Sequence, residues 1–266
     1  PEAFTPDNNF LMGQPTQTDG LFVMGGWNSA GIACSGGAGR FAVEWIENGG
    51  MTLDLGAVDI RRFLPFQNRR EYLQRRVSEV LGLHYQMAWP GRSMETARNQ
   101  RASRLYPIHQ ENHAVFSEVA GWERPRFYAS SEADAKVEYS FVRQNWHPWV
   151  AEEVRTCRQD VALLDQSTFG KFELRGPLAF NALRNLCGGN IDVPVNQSVY
   201  TGMFNSQGTF EVDLVVARLT KDRFYLVTST AQQCRDFDWI ERHLPTNGDL
   251  HFRDVTEDYH VIGVMG

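Results

Sequence analysis

Asn205-Ser-Gln-Gly-Thr-Phe-Glu-Val-Asp-Leu-Val-Val-Ala-Arg-Leu219 sets a turn signal directly ahead of an apolar–polar alternation. Successive strand side chains point to opposite faces. Phe210, Val212, Leu214 and Val216 are therefore predicted on one face, and Glu211, Asp213 and Val215 on the other. Val199–Phe204 before the turn is also strand-like, and glycine in the connection predicts a hairpin. Outward from it, Val161–Asp165 and Lys171–Leu174 read as strands, and Gly176-Pro177 opens a helix through about Leu186, with proline in its first turn. Downstream, Lys221-Asp222 turns into a strand at Phe224–Thr228. A helix at Gln232–His243 and strands at Leu250–Val255 and Val261–Val264 follow. Strands, helix, strands, helix and strands in that order predict an α+β layer rather than a doubly wound sheet.

The first half has a different texture. Leu21-Phe-Val-Met24 runs into Gly25-Gly26, and Asn28 or Ser29 can cap a helix carrying Ile32, Phe41, Trp45 and Ile46 until Asn48-Gly49-Gly50 stops it. Residues 61–118 are richer in arginine and read mostly as helix and loop. Arg69 to Leu83 has Tyr72, Leu73, Val77, Val80 and Leu81 on one side, an amphipathic surface helix. Pro90-Gly91 breaks the chain after it, and Ser130 to Lys136 is small and polar enough for an exposed loop.

The 266 residues suffice for one large or two modest domains, and a 42% hydrophobic share allows a core without disulfides or metals. A net charge of -6 with both signs interleaved excludes a nucleic-acid surface, which needs a clustered basic stripe. Cys34, Cys157, Cys187 and Cys234 lie far apart without CxxC spacing, so they read as free thiols in a reducing compartment. No apolar run approaches the ~18 residues needed to cross a bilayer, and no membrane insertion is expected. The chain opens at Pro1 and closes in the apolar Val264-Met265-Gly266, as an internal segment would.

Two features invite chemistry. In Gly25-Gly26-Trp27-Asn28-Ser29-Ala30-Gly31 a glycine turn leads into a helix start, whose unpaired N–H groups suit an anionic or carbonyl oxygen. The spacing is not G-x-G-x-x-G, so a tight, well-capped turn stands beside a ligand-binding one. Glu211 and Asp213, two apart on a strand, share a face. They can raise one another's pKa or receive protons from a ligand amine, or they can simply be a solvated sheet face. His84 and the i, i+4 pair His109/His113 lack a third ligand and read as solvated or structural, so no metal is expected. Trp122, Trp146 and Trp149 read as core or interface aromatics. Arg69-Arg70 and Arg75-Arg76 read as a solvated helix face.

Phe4-Thr5-Pro6-Asp7, Met12-Gly13 and Gly20-Leu21-Phe22-Val23 ahead of the glycine turn closely resemble the C-terminal stretch of the FAD domain in D-amino-acid-oxidase-like amine oxidoreductases. The resemblance implies that Gly25, Gly26, Trp27, Asn28, Ser29, Gly31 and Ile32 face the pyrimidine end of the isoalloxazine ring. A helix N-terminus there favours the negative charge of a reduced flavin. Trp27 stands where Met or Phe is common. The pyrophosphate fingerprint of that family is absent from these residues, so the segment completes a flavin site rather than building one. Taken alone it is expected to be inactive.

Asp165-Gln-Ser-Thr-Phe-Gly-Lys171, Gly176-Pro177, Val199-Tyr200-Thr201, Asn205, Gly208, Glu211-Val-Asp213-Leu214 and Gln233-Cys-Arg-Asp-Phe-Asp-Trp239-Ile240 resemble the N-terminal part of glycine-cleavage-type aminomethyltransferases. The resemblance implies that Asp213 is the folate-contacting catalytic aspartate and that Tyr200 lines the same tetrahydrofolate pocket. Ser229 departs from the asparagine usual there. Between these landmarks, Asp59-Ile-Arg-Arg-Phe63, Leu81-Gly-Leu-His-Tyr85, Gly121-Trp-Glu-Arg-Pro125, Tyr139-Ser-Phe-Val-Arg143 and Asn145-Trp146 resemble the middle of dimethylglycine and sarcosine dehydrogenases, a likeness covering essentially the whole chain.

That family implies three parts: the tail of an FAD-dependent oxidoreductase domain over residues 1–60, a mainly helical central linking domain over 61–118, and the start of a folate-binding aminomethyltransferase domain over 119–266. It implies an N-methylamino acid as substrate and electron-transfer flavoprotein or oxygen as electron acceptor. The remainder of the same polypeptide would be the partner, and the bacterial cytoplasm or mitochondrial matrix the location. Channelling is the logic of the fusion: a folate site beside the flavin captures an iminium carbon that water would release as formaldehyde. A non-catalytic alternative is a regulatory subunit of pyruvate dehydrogenase phosphatase, which resembles the same architecture through Asp192-Val-Pro194 and the Thr230–Gln233 region.

Overall fold

The computed structural model describes residues 2–246 and 249–266. They form two compact units, one of Pro1–Pro65 with Phe169–Thr256 and the other of Phe66–Thr168 with Glu257–Gly266. Elements are numbered in chain order through both.

In the first unit β1 (Leu11–Gly13) pairs antiparallel with β2 (Val23–Gly25), and the chain enters α1 (Gly31–Asn48). Ala38, Ala42 and Trp45 of α1 pack with Met12 and Met51 into a small core, and Gly49 ends the helix at φ 68°, a left-handed cap that glycine adopts without strain. The remaining strands make one antiparallel sheet from β6 (Gly170–Arg175), β7 (Ser198–Phe204), β8 (Phe210–Arg218), β9 (Arg223–Thr228) and β10 (His251–Asp254), in the order β10-β6-β9-β8-β7. Its inner face carries Phe172, Leu174, Met203, Val212, Leu214, Val216, Phe224 and Leu226, all almost fully buried. Against them pack Leu183 of α5 (Ala179–Leu186) and Ile240 of α6 (Gln233–His243). Each such side chain contributes roughly 1.5–3 kcal/mol of transfer free energy, which makes this layer the dominant core. The strands and helices predicted over 170–254 are all present, and the α+β class is the one observed.

The alternation of β8 fails at one position. Met203 pairs with Val212 but Phe204 pairs with Phe210, so Glu211 is the extra residue of a β-bulge. The bulge turns Phe210 outward, 64% exposed, and Glu211 inward, 4% exposed. Glu211 and Asp213 therefore do not share an open face as period two predicts.

In the second unit α2 (Arg70–Leu83) buries Tyr72, Arg76 and Val80. Arg76 is a correction to the solvated-face reading. It is 3% exposed, donates to the Thr96 carbonyl and pairs with Glu118 at 2.7 Å, because the amphipathic face meets a carboxylate rather than water. After α3 (Tyr106–Glu111) come β3 (Ala114–Val119) and β4 (Trp122–Tyr128), a hairpin turned by Ala120 and Gly121 at φ 50° and 81°. Two left-handed residues make the primed turn that matches strand twist. A Cβ on Gly121 would lie 2.4 Å from Phe66 Cζ, so the close approach also requires glycine. This hairpin and α4 (His147–Gln159) are absent from the sequence reading. α4 supplies Trp149, half-buried, which stacks on the fully buried Phe127 at 5.6 Å. β5 (Ala162–Asp165) pairs with β11 (Ile262–Met265) as a separate two-stranded sheet. Among the described residues, no helix is long and apolar enough to cross a membrane, and no group of three metal-binding side chains converges.

Candidate functional site

The glycine turn before α1 is strapped from behind. Asn28 lies at φ 49° and is 3% exposed. Its Oδ1 accepts the Thr5 amide at 2.8 Å, and its Nδ2 donates to the Gly26 carbonyl at 2.7 Å. Asparagine tolerates the left-handed region through such local bonds. Asn28 thus does not cap the helix. Ser29, at φ 64°, donates to Glu2 at 2.6 Å and does not cap it either. The cap position falls on Ala30, which has no side chain able to accept, and α1 begins without a side-chain cap. The first-turn amides are left for another acceptor.

Trp27 stacks on Phe10 at 4.8 Å, and Gly31 packs on Trp27, where a Cβ would sit 3.3 Å from the Trp27 Cβ. Ile32 is 97% exposed, and Gly25 has open space where a side chain would be. Of the residues singled out in this turn, Trp27 and Asn28 therefore hold it from the protein side. Gly25, Ser29 and Ile32 border its outer side, with Gly26 and Gly31 shaping the backbone between them.

Tyr200 and Asp213 come from adjacent strands. Gly202 is the register partner of Asp213, and Tyr200 sits one same-face position further along β7. Diagonal neighbours of this kind lie within reach of long side chains. The Asp213 carboxylate, through hydrogen bonding and its negative charge, raises the Tyr200 phenol above its ordinary pKa. Tyr200 is 71% exposed. Phe210, 64% exposed, lies against Gly202 and meets Phe204 at 4.6 Å. Gly202 makes room for the ring: a Cβ there would lie 2.3 Å from Phe210 Cε1. The result is a carboxylate, a phenol and an aromatic ring on one open face. A flat heteroaromatic ligand with N–H donors would satisfy all three.

Sequence reasoning missed a buried polar network behind the same strands. Asp59, fully buried, receives Arg61 through both carboxylate oxygens, and Arg61 reaches on to Asp238 of α6 at 3.2 Å. Arg235 donates to the Glu211 carbonyl at 2.8 Å and meets Asp236 at 3.3 Å. Burial pushes the Asp236 carboxyl up to about 7, against the pull of Arg235 and the Thr228 hydroxyl. The only sequence signal was the density of charge in Gln233-Cys-Arg-Asp-Phe-Asp-Trp239.

In the second unit His109 is a structural histidine held at both nitrogens. Its Nε2 lies 3.0 Å from Asp165, and its Nδ1 lies 2.8 Å from the Tyr128 hydroxyl. Burial pushes that phenol up to about 12, so it donates its proton to the ring.

Against known proteins, the FAD dependent oxidoreductase central domain matches residues 48–103 and the GCVT N-terminal domain matches residues 105–266. The chain is 39% identical, over its whole length, to 4-methylaminobutanoate oxidase (formaldehyde-forming) of Paenarthrobacter nicotinovorans, and covers 32% of that protein. It is 36% identical to the mouse mitochondrial pyruvate dehydrogenase phosphatase regulatory subunit, covering all of this chain and 31% of that one. It is 32% identical to human mitochondrial sarcosine dehydrogenase, covering 33% of it. The chain thus spans about a third of the length of the curated relatives it matches.

Proposed function

Because the chain belongs to the dimethylglycine/sarcosine dehydrogenase family, which joins an FAD-dependent oxidoreductase to a glycine-cleavage-type aminomethyltransferase, we propose that the protein oxidatively demethylates an N-methylated amino acid and passes the one-carbon unit to tetrahydrofolate. When bound, FAD supplies two-electron oxidation of the amine and tetrahydrofolate supplies the nitrogen that takes up the carbon. In this reading residues 1–60 close the oxidoreductase domain, 61–118 link, and 119–266 begin the folate domain. The electron acceptor is electron-transfer flavoprotein or oxygen. The location is the bacterial cytoplasm or mitochondrial matrix, in keeping with relatives of both origins.

In this reading the chain's own residues divide the work between the two sites. The uncapped start of α1 would offer its backbone amides to a bound flavin ring and favour negative charge there. Gly25, Gly26 and Gly31 keep side chains out of the approach, and Ile32 and Ser29 border it. Trp27 and Asn28 keep the turn from relaxing. Asp213 would accept a hydrogen bond or proton from the pterin side of a bound folate. Tyr200, hydrogen-bonded to Asp213, would orient it.

The observation that carries the reading is the Tyr200–Asp213 pair beside exposed Phe210, since such rings next to a carboxylate on an open face fit a flat ligand. The test is Asp213→Asn in the full polypeptide. Flavin reduction by the N-methylamino acid should keep its rate, while formaldehyde release in the presence of tetrahydrofolate rises. Release that stays at the unsubstituted level removes Asp213 from the mechanism.

The 36% likeness to the phosphatase regulatory subunit supports a second reading, a non-catalytic regulatory protein. Purification of the full polypeptide separates the two. A yellow protein bleached by dimethylglycine or sarcosine is the enzyme. A colourless one that activates a phosphatase is not.

A further inference from the structure

Glu211 is held inward by two side chains that reach it from different elements. The extra residue of a bulge is left out of the strand ladder, and here its carbonyl accepts Arg235 of α6 at 2.8 Å. Its carboxylate accepts the Asn205 side-chain amide at 2.9 Å. The same Asn205 Nδ2 lies 2.6 Å from Thr209 Oγ1 and 3.3 Å from the Met51 carbonyl, and its Oδ1 accepts the Gln207 and Thr209 amides. One carboxamide therefore fixes both the β7–β8 turn and the carboxylate behind it. What the bulge changes is the outer face. Regular alternation would place Glu211 opposite Phe204, on the same side as Asp213, and turn Phe210 inward. With the bulge, Phe210 stands opposite Phe204, and Asp213 is the acid that β8 presents outward. Space does not forbid the regular arrangement. A cavity of about 440 Å³ borders Asn205, Glu211 and Met51 on the inner side, with room for a ring.

We propose that Asn205, assisted by Arg235, is a positioning residue for the outer face: by holding Glu211 in the bulge it keeps Phe210 on that face and a second carboxylate away from Asp213. A buried carboxylate left without a donor is strongly disfavoured, so loss of the Asn205 amide sends Glu211 out to water and Phe210 into the cavity. Two carboxylates side by side would then compete for one ligand proton, and the face would lose its exposed ring. The consequence for folate rests on the proposed function. The clamp on the bulge does not.

The test places fluorophenylalanine at position 210 of the full polypeptide and reads its exposure as the broadening of the fluorine resonance by a soluble gadolinium chelate. Asn205→Ser keeps an acceptor for the turn and removes the donor to Glu211. Broadening should fall to the level of a probe at Phe172, which is fully buried. Adding Glu211→Leu should restore it, because leucine sits inward without a donor. Undiminished broadening in a folded Asn205→Ser protein, or a fall that Glu211→Leu leaves unchanged, overturns the proposal. If Asn205→Ser alone does not fold, a folded double variant with position 210 exposed upholds it, and an unfolded one overturns it. The half-saturating tetrahydrofolate concentration for suppressing formaldehyde release should rise about tenfold in Asn205→Ser, the loss of stacking on one aromatic ring. A probe that turns inward while that concentration stays unchanged upholds the clamp and removes folate from this face.

Discussion

Asp236→Asn should flatten the pH dependence of stability, and the structure gives the size of the effect. Asp236 is fully buried on α6, bonded by the Thr228 hydroxyl and next to Arg235. Burial pushes its carboxyl from an ordinary 3.8 up to about 7, with Arg235 and Thr228 opposing the shift. Between those values the native state holds a proton that the unfolded chain has released. The stabilisation is therefore fully present below the unfolded value and is lost as pH rises through the folded one. A gap of about three pH units corresponds to about 4 kcal/mol, or about 1.4 kcal/mol per unit across the window. Asparagine keeps the acceptor for Arg235 and removes the titration. Equilibrium urea unfolding of both proteins from about pH 4.5 to about pH 8 should show their difference moving in favour of Asp236→Asn as pH rises, then levelling above about pH 7. Parallel stability curves across that range would refute the assignment of a protonated, desolvated carboxyl.

The remaining predictions concern packing in the second unit. Arg76→Met leaves Glu118 buried without its partner and should cost about 3–5 kcal/mol in urea unfolding, whereas the double change Arg76→Met with Glu118→Leu should recover most of that loss. A double variant as unstable as the single one would show that the pair is not the source. Gly121→Ala places a Cβ at φ 81° and against Phe66, and should lower stability by about 1–3 kcal/mol. An unchanged melting midpoint would mean that the β3–β4 turn relaxes freely.

Much of the architecture was legible because period and punctuation are local properties. The β7–β8 hairpin follows from alternation around Asn205-Ser-Gln-Gly208, and α5 follows from Gly176-Pro177. Helix α1 was legible too, although its start was not. Asn28 looks like a cap in sequence, and only the return of Thr5, 23 residues away, draws its side chain to the other side. The hairpin at 114–128 was missed because its turn uses Ala120 with Gly121 rather than an Asn-Gly or Asp-Gly signal, and because Pro125 interrupts its second strand.

At the site, the residue types were readable and their relations were not. Tyr200 and Asp213 meet because Gly202 pairs with Asp213, a register that no composition encodes. Counting by twos puts Glu211 beside Asp213 in water. One unpaired residue in the ladder sends it inward instead, to Asn205 and the cavity. Arg76 looks solvated until Glu118, 42 positions on, is brought to it, and His109 stands between solvated and structural until Asp165, 56 positions on, meets it. Sequence alone determined the strand or helix character of α1, α2 and the elements over 170–254, since period and turn signals depend on neighbours within a few residues. Only the tertiary structure decided which polar groups are buried and what they bind, because desolvation and charge pairing are set by side chains that folding brings from far along the chain.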